Sequence, residues 1–253
     1  MPPYSLLLAF FLFLIIASLY SSVGQAGASG YLAVMALLSF APETIKPISL
    51  VLNIVVASIV SIKYIRAGCF DRKIFLSFIV ASMPMAFIGG YLPVSPKYFK
   101  LIAGIFLVIS SFLLLIRTYY KPSQTQIQSN PMPLAYGLIG GSFIGLISGL
   151  IGVGGGIFLS PVIILANWTS AKNASGVTAL FILCNSMAGL AGHIVAMNKL
   201  GFDIFYWIVA VVIGGLLGSY FGTIKFNNKI IINCLFIVLL LAGLKFLLVD
   251  FAK

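Results

Sequence analysis

The sequence predicts an all-α, polytopic integral membrane protein: about eight membrane helices in two homologous halves, each half opening with a glycine-broken helix. Three observations carry this. Of the 253 residues, 61% are hydrophobic and 8% charged, with a mean hydropathy of +1.17, whereas soluble domains carry about 25% charged residues. Apolar runs, several of them near the roughly 20 residues that span a bilayer core, follow one another with short connections. A glycine cluster interrupts this apolar sequence twice, as G-Q-A-G-A-S-G at Gly24–Gly30 and as G-V-G-G-G at Gly152–Gly156.

The first run covers 5–22 and is followed by a short arm at 30–40. No Lys or Arg precedes it, as a cleaved secretory signal requires, so it is expected to be a retained membrane helix. As one helix, 5–40 would measure roughly 52 Å against a core of about 30 Å. It therefore either crosses as a broken helix or turns back as a re-entrant hairpin. Spans at 47–66, 74–92 and 98–117 complete a first half, 1–118. The polar stretch 119–132 is a linker, and the second half, 133–253, repeats the order with 133–151, an arm at 157–167, then 174–197, 203–224 and 230–249.

Landmarks recur in the same order in both halves. Gly24 and Gly27 return as Gly152 and Gly155, Phe70-Asp71 as Phe202-Asp203, and Ile88-Gly89-Gly90 as Ile213-Gly214-Gly215. Four crossings per half would give parallel repeats; three crossings and a hairpin would give inverted ones. The loop charges discriminate poorly between the two. Lys63–Lys73 holds the densest positive cluster and belongs in the cytoplasm, and crossing elements then put both termini inside.

The net charge of +11 comes from basic residues set singly between apolar segments, as topology signals beside lipid headgroups. Nucleic-acid binding would need a contiguous basic stripe. Cys69, Cys184 and Cys234 are far apart and lack metal-ligand spacing. No metal, cofactor or catalytic group is expected, because an enzyme would need convergent titratable residues and this chain offers one histidine and peripheral acids. No nucleotide-binding loop is present, so active transport would draw on an ion gradient or a separate motor.

Gly137, Gly141, Gly145 and Gly149 line one helical face, as glycines at helix contacts do. Gly152, Gly154, Gly155 and Gly156 instead point all around a helix, at a cost of roughly 1 kcal/mol each relative to alanine. An unwound segment is expected there, with Ile157 starting a short helix that tolerates Pro161 early. A half-helix N-terminus inside a membrane offers free N–H groups and a positive dipole end, so the natural ligand is an anion. Gly24, Gln25 and Gly27 offer the same geometry in the first half.

The acids Glu43, Asp71, Asp203 and Asp250 all fall at segment ends or in loops, while the deep polar residues are neutral: Gln25, Asn53, Ser58, Thr178, Asn185 and Ser186. The candidate substrate site is therefore Gly24, Gln25, Gly27, Asn53, Gly152, Gly154, Gly155, Gly156, Thr178 and Asn185, with His193 a candidate proton-coupling group. Structural kinks and interhelical hydrogen bonds are the alternatives.

The run G-L-I-S-G-L-I-G-V-G-G-G-I-F-L-S-P, Gly145–Pro161, resembles the G-x-G-G-G-x(4)-P signature of the TauE/SafE sulfite exporter-like permeases. Thr178–His193, T-A-L-F-I-L-C-N-S-M-A-G-L-A-G-H, is similar to that family's T-S-L…N-S-x-x-G helix, and Ile48–Leu50 with Arg66–Asp71 to its T-S-L…R-x-G-x-x-D stretch. The first half departs from the signature at G-Q-A-G-A-S-G, and Ala33 stands where the second half has a proline. The resemblance implies a two-halved permease for sulfur-containing anions such as sulfite or organosulfonates. The residues alone reach a small anion held at paired helix breaks.

The expected function is secondary transport by alternating access across the cytoplasmic membrane; an anion channel or a non-transporting membrane subunit are the rivals. The expected partners are a small anionic substrate of the sulfite or sulfonate class, the lipid bilayer and, as a candidate, further copies of the chain.

Overall fold

A computed structural model describes residues 3–22, 24–119, 132–197, 204–221 and 228–250. Most of the expected linker, 120–131, and Asp203 lie outside the described residues. Among those described, ten α-helices occur and no strand: α1 (Pro3–Ser22), α2 (Ala28–Leu37), α3 (Pro42–Arg66), α4 (Arg72–Tyr91), α5 (Pro96–Tyr119), α6 (Leu134–Ile151), α7 (Gly156–Leu165), α8 (Ala171–Met197), α9 (Ile204–Phe221) and α10 (Asn228–Leu244), which continues as a π-helical turn over Lys245–Asp250. The Asp71 carboxylate starts α4 by accepting from the N–H groups of Lys73 and Ile74. Stretches of α3, α4, α5, α6 and α8 are long and apolar enough to cross a membrane. Large apolar side chains such as Ile139, Phe143, Val195 and Phe205 face outward, the surface that lipid rather than water would cover.

Packing fixes the direction of each helix. Gly30 at the start of α2 packs on Ile16 and Tyr20, and Tyr31 packs on Phe13 at a ring distance of 5.9 Å, so α2 runs back along α1. Gly24 lies against Tyr64, and Gly215 of α9 against Val56 and Ile59 while Gly214 meets Ala17, so α3 runs with α1. α4 returns, because Lys46 near the start of α3 bonds to Gly89 and Gly90 at the end of α4. In α6, Gly137, Gly141, Gly145 and Gly149 meet Ser77, Phe78, Ser82 and Ala86 in step, so α6 runs parallel to α4 and opposite to α1. α8 follows α4 through the pairs Ser82–Asn185 and Ala86–Gly189.

Each glycine break is thus a hairpin. At Gly152 the chain reverses through a left-handed residue, φ +85°, with the N–H groups of Gly152 and Val153 both bonding to the Ser148 carbonyl. Of the two alternatives the sequence allowed, the re-entrant one is realised, and α6 to α10 run opposite to α1 to α5. The expectation that followed from crossings, both termini on the side of the Lys63–Lys73 loop, is corrected: α1 begins and α10 ends at the opposite face. Loop charge reports a side only once the number of traversals is known, and a left-handed glycine changes that number.

The closest helix pairs join the two halves. Gly214 and Gly218 of α9 rest on the Leu14 and Ser18 carbonyls of α1, as the α6 glycines rest on α4. Between these pairs α3 and α8 cross the middle in opposite senses, with Leu50 near Gly189 and Tyr64 near Gly176.

Candidate functional site

Both half-helices begin in the interior beside α3 and α8. Gly27 (φ +94°) precedes α2 and Gly155 (φ +76°) precedes α7; neither helix has a side-chain N-cap. First-turn N–H groups have no acceptor one turn back in their own helix, although in α7 the Phe158 N–H bonds to the Gly155 carbonyl at 3.2 Å. α2 and α7 leave the interior in opposite directions, so the positive ends of their dipoles face the middle of the molecule. Gly24, Gly152 and Gly154 are also left-handed, at φ +78°, +85° and +71°, a conformation that glycine adopts without steric cost.

Around the second break the polar side chains lack partners. A Cβ on Gly154 would stand 2.9 Å from Ser186 Oγ and 3.4 Å from Asn53 Nδ2; one on Gly155 would touch Ser148, and one on Gly156 would touch Thr178. All four of these side chains are buried, and Asn53 Nδ2 and Oδ1, Ser148 Oγ, Thr178 Oγ1 and Ser186 Oγ make no hydrogen bond. A buried polar group left unpaired costs about 1–3 kcal/mol. Four such residues on three different helices surround one unwound turn with hydrogen-bonding groups that no protein atom satisfies. The first break repeats this with fewer groups: Gln25 Nε2 is buried and unpaired, as is Tyr31 OH, which lies 2.9 Å from where a Gly27 Cβ would stand.

The remaining predicted residues have other surroundings. Asn185 turns to α4 and exchanges hydrogen bonds with Ser82, at 2.8 and 3.1 Å; its neighbour Ser186 takes the place beside the break. Ser58 bonds to the Ile54 carbonyl of its own helix. His193 is buried in the wall of a cavity at the face where α1 begins.

That cavity, about 280 Å³, is bounded by Lys46, Glu43, Tyr91, Leu150 and His193. A second, about 350 Å³, lies at the other face between Ser21, Ser22, Lys63, Tyr64, Cys69 and Lys172. Neither reaches Asn53, Thr178 or Ser186. Ser148, Ser186, Tyr31 and Lys46 were not singled out by the sequence as site residues. Tyr31 lay within an apolar run, and Lys46 had the spacing of a topology signal.

The sequence pattern of the family described as "Sulfite exporter TauE/SafE" matches residues 8–246. The chain is 35% identical to "Probable membrane transporter protein y4hK" of Sinorhizobium fredii, over 93% of this chain and 95% of that protein. It is 29% identical to "Probable membrane transporter protein YdhB" of Bacillus subtilis, over 54% of this chain and 56% of that one. No solved structure matches the chain. A match over nearly the whole length, on an all-helical frame built around glycine breaks, makes this multi-pass membrane protein a member of the sulfite exporter TauE/SafE family of membrane transporters.

Proposed function

We propose that the protein carries a small sulfur-containing anion, sulfite or an organosulfonate, across the cell membrane by alternating access, with the anion held between the N-termini of α2 and α7. The observation that carries this reading is the set of unpaired, buried side chains at the second break, Asn53, Ser148, Thr178 and Ser186. Three are hydroxyls, each with a proton to donate, and Asn53 supplies an amide N–H₂. No carboxylate is among them, so nothing there repels an anion. The family's description supplies the sulfur chemistry.

The closure of this site from both cavities favours a carrier over an open channel. The two halves act as diverged inverted repeats in this reading, supported by the matching order of elements and by the reciprocal pairs α1–α9 and α4–α6. Because those pairs join the halves, we assign the rigid units of the transport cycle to them rather than to residues 1–118 and 133–253 moving as blocks. His193, in the wall of one cavity, is the candidate group for proton coupling.

The test uses purified protein in liposomes and radiolabelled sulfite, with sulfoacetate and taurine as competitors. Gly155→Leu places a side chain against Ile144 and Phe181 at a left-handed position. The expected result is loss of uptake with membrane insertion and monodispersity retained. Near-normal uptake by that variant would overturn the site.

A further inference from the structure

We infer that the two cavities are the mouths of one anion path, and that Lys46 is the residue that selects for negative charge at the mouth beside the Gly152 break. The inference rests on the transport reading above. Each cavity abuts one break: the first through Lys46, whose carbonyl oxygen lies 2.8 Å from where a Gly152 Cβ would stand, and the second through Tyr64, which packs on Gly24. Each mouth also holds lysine: Lys46 in one, with the exposed Glu43 at its rim, and Lys63 and Lys172 in the other.

Lys46 differs from an ordinary headgroup lysine. It is only 7% exposed, and its ammonium donates to the carbonyls of Gly89 and Gly90 at 3.1 and 2.8 Å. These acceptors are neutral, and no carboxylate of the described residues pairs with it. Glu43, one turn earlier on the same helix, lines the same cavity but is solvent-exposed. An ammonium has three donors, so after capping the end of α4 one N–H remains for a ligand. A desolvated charge without a counter-ion acts strongly on whatever enters the cavity. An oxyanion arriving there gains the missing counter-charge and sits one residue contact away from the Gly152 turn.

The test measures charge selection without relying on the substrate. One full-length protein keeps Cys69 as its only cysteine, reporting on the mouth near Gly24. A second carries Ala196→Cys, reporting on the Lys46 mouth, with Cys69, Cys184 and Cys234 replaced. Each is modified with anionic sulfonatoethyl and cationic trimethylammonioethyl methanethiosulfonate, and the rate ratio is normalised to a free thiol in solution. Lys46→Gln should lower the anionic preference at position 196 by about tenfold, as removal of one charge within several ångströms does. Lys46→Arg should retain it, and the ratio at Cys69 should not change.

Sulfite uptake is measured on the same variants with the native cysteines. A selectivity shift in a protein that moves no sulfite supports the mouth and sinks the substrate. Reduced uptake with unaltered selectivity overturns the inference and leaves Lys46 as a cap for α4. Should Lys46→Gln not yield monodisperse protein, the Ala196→Cys protein still decides: a normalised ratio showing no anionic preference overturns the claim.

Discussion

At the residue scale, one step along a helix separates a paired polar side chain from an unpaired one. Asn185 and Ser186 are adjacent, equally buried and equally polar, but successive residues point about 100° apart around an α-helix. Asn185 meets Ser82, a partner that satisfies it in both directions; Ser186 meets the unwound backbone at Gly154 and has none. The expected outcome is a split. Asn53→Ala and Ser186→Ala should weaken anion binding by about 1.5–3 kcal/mol each, roughly a tenfold to hundredfold rise in Kd, because a hydrogen bond to a charged ligand is lost. Asn185→Ala should leave Kd nearly unchanged and lower the thermal stability, since Ser82 then loses its partner. Calorimetric titration with sulfite and thermal unfolding in detergent separate the two effects.

At the scale of elements, α4 and α6 approach because α6 has no side chains on the facing stripe. Without a hydrophobic force between helices in lipid, close backbone approach supplies the attraction. Cα–H groups then lie against carbonyl oxygens, a weak favourable contact. A Cβ on Gly141 or Gly145 would meet the Phe78 or Ser82 carbonyl, backbone that cannot step aside. A Cβ on Gly140 would reach only the edge of the Phe78 ring, at 3.4 Å. Gly145→Val should therefore destabilise the protein by about 1–3 kcal/mol or more, while Gly140→Ala should be close to neutral. Thermal unfolding of the two variants side by side checks this; equal midpoints would remove the glycine stripe as the cause of the pairing.

For the whole molecule, orientation follows from combining the fold with charge. The face where α3 ends carries Lys63, Arg66, Arg72, Lys73 and Lys172; the face where α1 begins carries Lys46, Lys97, Lys100 and Lys245. The denser cluster in the short 63–73 connection should lie in the cytoplasm, which would put the start of α1, the end of α10 and the Lys46 mouth outside. A reporter fused at the C-terminus should therefore be active only if it works outside the cytoplasm, and a tag inserted at Gly68 should be protected in intact cells. The reverse pattern would show that the Lys46 mouth faces inward.

Gly152–Gly156 was legible as a break from sequence because a helix cannot absorb four glycines in five positions, and every apolar span was legible because lipid demands length and hydrophobicity of each segment separately. These are local constraints, and one chain read alone contains them. Whether the break crosses or reverses, which face of α8 meets the turn at Gly154, and that Lys46 lies under the end of α4 instead of among headgroups were settled only by tertiary structure. Each of these depends on the rotation and direction of one helix against another, and no single segment carries that information in its own composition.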